Sequence, residues 1–199
     1  MNTKQYKQTL LDTLYAPYLN CVECPLGRQG RTNVVFGEGN PDARLVFIGE
    51  GPGQDEDTLG RPFVGRSGKL LDKVFELAGI KREDIFISNI VKCRPPGNRK
   101  PLPNEIDICT SLFLFNQIKI IRPHIICTLG ATALQGLIRD EDVKISKARG
   151  KPRPADEIHP YIILPTYHPA YVLRNPPALK DLYHDIQLAM EISQKKSRI

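Results

Sequence analysis

At 199 residues the chain is long enough for one domain with a full core and too short for two comfortable ones. Its 41% hydrophobic and 25% charged residues are ordinary for a globular protein, and no apolar run is long enough to span a bilayer. The formal net charge of +6 suits a polyanionic partner, and Met1 to Lys7 lacks the apolar stretch of a secretory leader, so a monomeric, intracellular and cytoplasmic protein without membrane association is expected.

Residues 2 to 19 carry apolar side chains at Leu10, Leu11, Leu14, Tyr15 and Tyr18, the spacing of an amphipathic helix. Within it, Gln8 to Tyr15 resembles a sliding-clamp-binding box with Leu14 in place of the usual first aromatic. Core packing is the expected use of these leucines, and a sliding clamp the minor partner expectation. Cys21-Val22-Glu23-Cys24 has metal-ligand or redox spacing. It follows a helix rather than a strand, which disfavours thioredoxin-like redox use. Gly27 to Asn33 reads as a polar, basic loop.

Arg44 to Gly49 reads as a buried strand, and it delivers Gly49-Glu50-Gly51-Pro52-Gly53 to the carboxyl edge of a sheet, where open α/β folds bind ligands. Gly51 and Pro52 let a stiff turn approach a ligand, with Glu50 at the tip and Asp55 just beyond. Gly60 to Ser67 nearly matches a phosphate-binding P-loop, but Arg66 stands where the lysine is needed and no strand runs into Gly60. Ser67 reads as the N-cap of an apolar-periodic helix closed at Gly79. With Arg66 beside it, that helix start can hold a backbone phosphate.

Asp84 to Val91 reads as a second strand bearing Asn89 near its end, followed by a basic, Pro-rich loop over 92–101 and a helix over 103–121. His124 to Leu129 is a third strand, with Cys127 a buried apolar residue in it, and Gly130 to Ile138 a short helix. Residues 140–157 read as charged and irregular. Tyr161 to Pro165 is a fourth strand, His168-Pro169-Ala170 a loop, and residues 177–193 the last helix. Strands alternating with helices predict an α/β three-layer sandwich with a central four-stranded, mostly parallel sheet. It forms a single domain over 1–199, with the N-terminal helix and cysteine knuckle of 1–33 packed on it. Cys21, Cys24, Cys93 and Cys109 can close a tetrahedral zinc site or a [4Fe–4S] cluster, and spacing alone leaves both open.

Gly49-Glu50-Gly51-Pro52-Gly53, Gly60-Arg61-Pro62-Phe63-Val64-Gly65, Asn89-Ile90-Val91-Lys92-Cys93-Arg94-Pro95-Pro96, Leu129-Gly130 and His168-Pro169-Ala170 occur in one order. Together with the four cysteines, this ordered set resembles the family 4 uracil-DNA glycosylases, the iron–sulfur type of thermophilic archaea and bacteria. Family 5 enzymes are less similar, usually carrying Ala where this chain has Gly51. The resemblance implies a uracil-DNA glycosylase-like fold, a [4Fe–4S] cluster on the four cysteines and uracil-containing DNA, single or double stranded, as substrate. It implies hydrolysis of the N-glycosidic bond by water, with no lysine in a catalytic motif to form a Schiff base.

Chemistry agrees with the resemblance at several positions. A base must leave the duplex to be processed. The Asn89 carboxamide offers the donor and acceptor that match uracil O4 and N3–H. His168 can donate to uracil O2 as charge develops there, and Glu50 can orient water. Phe63 is implied as the stacking face, and a Glu56–Asn98 pair as the brace of the pocket. Val172 or Leu173 would fill the gap left by the base, and Arg174 would bind phosphate. The alternatives are a family 5-like glycosylase of broader base range and a metal-stabilised, non-catalytic nucleic-acid-binding domain.

Overall fold

The computed structural model describes residues 3–154 and 160–195. Six strands form one sheet: β1 (Glu38–Gly39), β2 (Leu45–Gly49), β3 (Phe86–Asn89), β4 (Ile125–Leu129), β5 (Arg153–Pro154) and β6 (Ile162–Thr166), in the spatial order β1-β3-β2-β4-β6-β5. The inner four are parallel, as predicted. The antiparallel edges β1 and β5 were not expected, because two residues are too few for alternation to show. The second strand is shorter than predicted: Arg82–Asp84 forms a 3₁₀ turn, and pairing ends at Asn89.

The helices are α1 (Thr3–Tyr15), α2 (Gln54–Leu59), α3 (Arg66–Leu77), α4 (Pro103–Cys109), α5 (Phe115–Ile121), α6 (Ala131–Ile138), α7 (Ile145–Ala148), α8 (Pro169–Arg174) and α9 (Leu179–Gln194). A π-helical stretch, Thr110–Leu114, joins α4 to α5, so the predicted 103–121 helix is continuous but locally widened after Cys109. The 140–157 segment is not wholly irregular, since it supplies α7 and β5; residues 155–159, including His159, lie outside the described residues. Ser67 is not a cap. Gly65 occupies that position and Ser67 sits inside the first turn of α3.

The sheet separates two cores. Along β2, Leu45 and Phe47 face the core built with α3 and α9, while Val46 and Ile48 face the core that holds the cysteines, α1 and α4–α6. This period-two division buries every β2 residue, as strands covered on both faces require. Leu11 of α1 is 1% exposed, which puts the clamp-box leucine in the core, and Lys7 donates to the carbonyl of Ile121 at the end of α5. Cys127 is fully buried in β4, as expected of an apolar residue. The first central strand, β2, has β3 on one side and β4 on the other. Its carboxyl end is therefore at a topological switch point, where the loops after β2, β3 and β6 leave a crevice.

Candidate active site

A cavity of about 650 Å³ opens at that crevice. Its walls combine Glu50 to Glu56 after β2, Phe63 and the start of α3, Asn89 at the end of β3, Pro95 and Asn98, and His168, Ala170, Tyr171 and Arg174. Every residue predicted to bind substrate reaches it: Gly51, Pro52, Asp55, Phe63 and Asn89, with Glu50 and His168 beside them.

Asn89 is 2% exposed, and its Oδ1 is buried without a hydrogen-bond partner. A buried amide oxygen left unpaired costs about 1–3 kcal/mol, a cost that a water or a polar ligand in the cavity would offset. The carboxamide and the Phe63 ring both close over Gly49: a Cβ there would meet Asn89 Oδ1 at 2.5 Å and Phe63 Cζ at 2.4 Å. Phe63 has φ of +52°, a left-handed backbone that costs a non-glycine residue about 1–2 kcal/mol. This conformation presents the ring to the pocket, 5.9 Å from the His168 ring at an interplanar angle of 33°.

His168 ends the connection from β6 and caps α8. Its Nδ1 accepts the main-chain N–H of Ala170 at 3.0 Å. An accepting Nδ1 leaves the proton of the neutral ring on Nε2. Burial, helped by the Arg174 guanidinium, pushes the His168 pKa down to about 4, so the ring is neutral near pH 7. The Leu129-Gly130 motif has a steric basis here: Gly130 has φ of +93°, and a Cβ on it would stand 2.9 Å from His168 Cβ. The site therefore offers one neutral N–H donor of fixed tautomer, a paired donor and acceptor on Asn89, and an aromatic face. The Glu50 carboxylate lines the same cavity and has no hydrogen-bond or salt-bridge partner among the described residues.

Glu56 does not pair with Asn98. Its carboxylate is taken by three main-chain N–H groups, Gly53 at 3.1 Å, Val64 at 2.9 Å and Gly65 at 2.8 Å, which ties the β2 loop to the Phe63 loop. Asn98 Oδ1 instead accepts from Arg94 Nε at 2.7 Å. Arg66, Ser67 and Arg174 also line the cavity. Val172 does not: it is 2% exposed and packs into the α3/α9 core, because the short turn of α8 rotates it inward. The same turn leaves Leu173 40% and Tyr171 39% exposed.

The four cysteines are drawn together. Cys21, Cys24, Cys93 and Cys109 line one small cavity with Lys92 and Phe113, and all four are buried and free of disulfides. Burial pushes the Cys93 and Cys109 thiols up to about 12. Arg31 donates from Nη2 to the Cys21 carbonyl at 2.7 Å and its guanidinium also bonds Cys93, while its Nε is buried without a partner. Lys92 is fully buried and its main-chain N–H points to Cys109 Sγ at 3.2 Å. The fully buried Lys92 and the half-buried Arg31, with its orphaned guanidinium N–H, stand beside four thiols and fit a group that makes those sulfurs anionic. Among the described residues no set of three or more His, Cys, Asp or Glu is arranged to hold a metal ion.

The sequence missed Lys92, read there as part of a basic loop. Its Nζ donates to Ser88 Oγ at 2.6 Å, to the carbonyl of Asn89 at 2.7 Å and to Gln117 Oε1 at 2.8 Å. Its position between Val91 and Cys93, both buried, was the available signal.

Residues 36–187 match the profile described as the uracil DNA glycosylase superfamily. The chain belongs to the uracil-DNA glycosylase superfamily. It is 49% identical over 169 residues to a type-4 uracil-DNA glycosylase of Thermotoga maritima, covering 85% of this chain and 86% of that one. It is 46% identical over 192 residues to the type-4 uracil-DNA glycosylase of Saccharolobus solfataricus, covering 94% and 88%. A type-5 uracil-DNA glycosylase of Thermus thermophilus is 29% identical over about half of each chain, 52% and 53%. Within the superfamily, the likeness to these type-4 members covers more of this chain than the likeness to that type-5 member.

Proposed function

We propose that this protein is a monofunctional uracil-DNA glycosylase that starts base excision repair. It hydrolyses the bond between C1′ of deoxyribose and N1 of a flipped uracil. Water supplies the hydroxyl at C1′, the base leaves with the bonding electrons and a proton, and an abasic site remains. The observation that carries the reading is the unpaired Asn89 carboxamide, buried in a cavity beside a neutral His168 of fixed tautomer.

In this reading Asn89 bonds uracil O4 and N3–H, an edge that cytosine presents with the opposite polarity. Phe63 stacks on the base. His168 Nε2–H donates to O2, where negative charge grows as the glycosidic bond breaks, so its effect falls mainly on the transition state. Glu50 holds the attacking water and favours the cationic sugar. Gly51 and Pro52 shape the loop around the base, with Asp55 at the cavity wall. Arg66, Ser67 and Arg174 take backbone phosphates, and Leu173 enters the gap in the stack.

We further propose that Cys21, Cys24, Cys93 and Cys109 hold a [4Fe–4S] cluster. Four free, buried cysteines lining one small cavity, with Arg31 and Lys92 as counter-charges, support a thiolate-held cluster there. The cluster supplies a cross-link between the N-terminal knuckle, the 92–101 loop and α4.

The test is product analysis on an oligonucleotide with one uracil. The reading expects free uracil, a strand that breaks only after alkali, and no covalent complex trapped by borohydride. A borohydride-trapped complex or release of cytosine instead would contradict it.

A further inference from the structure

Phe63 sits in a strained backbone conformation, and the group that holds it lies outside the pocket. Arg82, on the 3₁₀ turn before β3, donates from Nη1 to the Phe63 carbonyl at 3.1 Å and from Nη2 to the Pro62 carbonyl. Nη1 also reaches Asp72 Oδ1 at 2.8 Å, and Nε reaches Glu38 Oε1 at 3.1 Å. Glu38 is itself held by Arg61, at 2.7 and 3.0 Å. Arg82 is absent from the residues that line the cavity.

The two carbonyls belong to the two peptide planes that flank the Phe63 Cα. A planar guanidinium bound to both fixes the rotation of each plane, and so fixes φ and ψ at Phe63. Relaxation to a right-handed or extended backbone would swing one of these carbonyls away from Arg82 and turn the ring out of its place beside Asn89 and His168. The wall opposite has no slack, because a Cβ on Gly68 would lie 1.9 Å from the Phe63 carbonyl oxygen.

We propose that Arg82 is a positioning residue for base excision: it locks Phe63 in the left-handed conformation that presents its ring to the flipped base, with Glu38 and Asp72 setting the guanidinium. The inference rests on the reading of Phe63 as the stacking face.

The test is a double-mutant cycle on Arg82 and Phe63, read by single-turnover uracil release from a single-uracil oligonucleotide and by the Kd for the same duplex without uracil. Arg82→Gln is expected to lower the release rate about tenfold, with the Kd for uracil-free DNA within twofold of wild type. Arg82→Lys, which keeps the charge but not the fork, recovers only part of the loss. In a Phe63→Ala background, Arg82→Gln costs less than twofold. Glu38→Gln, which leaves both carbonyl contacts in place, gives a smaller loss with the same dependence on Phe63, and it carries the cycle if Arg82→Gln does not fold. An equal loss in both backgrounds, or no loss from Arg82→Gln while Phe63→Ala is slow, overturns the proposal and leaves the stacking reading intact. A Phe63→Ala variant as fast as wild type overturns both.

Discussion

The main-chain N–H of Ala170 donates to Nδ1 of His168 across 3.0 Å, two residues along the chain. That one contact sets the tautomer of the ring that faces the cavity. It follows from Pro169: the proline starts α8 at once, so the first free N–H of the helix belongs to Ala170 and turns back on the residue that caps it.

The pH profile should carry the mark of this contact. His168 is neutral above about pH 4, against an ordinary histidine value of 6.5. Single-turnover uracil release should therefore show no inflection between pH 8 and 5 from this ring, and an acid limb nearer pH 4. An inflection at 6.5 that disappears in His168→Ala would show that the ring titrates normally. Stability follows the same sign. The unfolded state binds the proton more readily than the folded state, so the contribution is present above pH 6.5 and is lost as pH falls toward 4, by about 3 kcal/mol at most.

Asn89→Asp should lower uracil release by about 100-fold or more, because the carboxylate cannot donate to O4 and stands as a buried charge. The comparison is single-turnover release at saturating enzyme, with far-ultraviolet circular dichroism to confirm the fold. Release within a few-fold of wild type would remove Asn89 from the base-reading role.

The two neighbours on α8 should separate cleanly. Val172→Ala should lower stability by roughly 1–3 kcal/mol, the range for trimming a buried aliphatic side chain, and do little to release from single-stranded DNA. Leu173→Ala should leave thermal stability nearly unchanged and slow release from duplex DNA several-fold more than from single strands, since only the duplex needs its gap filled. The measurements are melting curves and release rates on both substrates. Equal slowing on both would take Leu173 out of the wedge role.

Cys93→Ala should cost folding and metal content before chemistry. The substitution removes one thiol of the quartet and leaves the fully buried Lys92 and the half-buried Arg31 with less anionic charge to face, a defect of about 3–5 kcal/mol. Iron and sulfide analysis with broad absorbance near 400 nm should both fall, and the melting temperature with them. A folded, colourless, fully active variant would contradict the cross-link account.

The inner sheet and most of the pocket were legible in the sequence, because both are written locally. β2 and β4 are short apolar runs, and Glu50, Asn89 and His168 stand at or just after strand ends, where α/β folds bind ligands. What escaped depends on three-dimensional detail. Val172 and Leu173 are adjacent, and only the rotation of α8 decides which is buried. The Glu56 carboxylate met three main-chain N–H groups that no motif displays, and these displaced Asn98 as its partner. Lys92 looked like a loop cation, yet its ammonium is enclosed by Ser88, Asn89 and Gln117. Arg82 gave no signal at all, since the Pro62 and Phe63 carbonyls and the Asp72 and Glu38 carboxylates that it meets are all far from it in the chain.

The measurement that meets the central claim most directly is strand cleavage after alkali on a single-uracil oligonucleotide, with wild type beside His168→Ala. The account predicts an alkali-labile site at the uracil with wild type, none on the matching thymine oligonucleotide, and a rate at least 100-fold lower for the folded variant. A folded, cysteine-centre-replete wild type that leaves the uracil strand intact would contradict it and favour a nucleic-acid-binding module without catalysis.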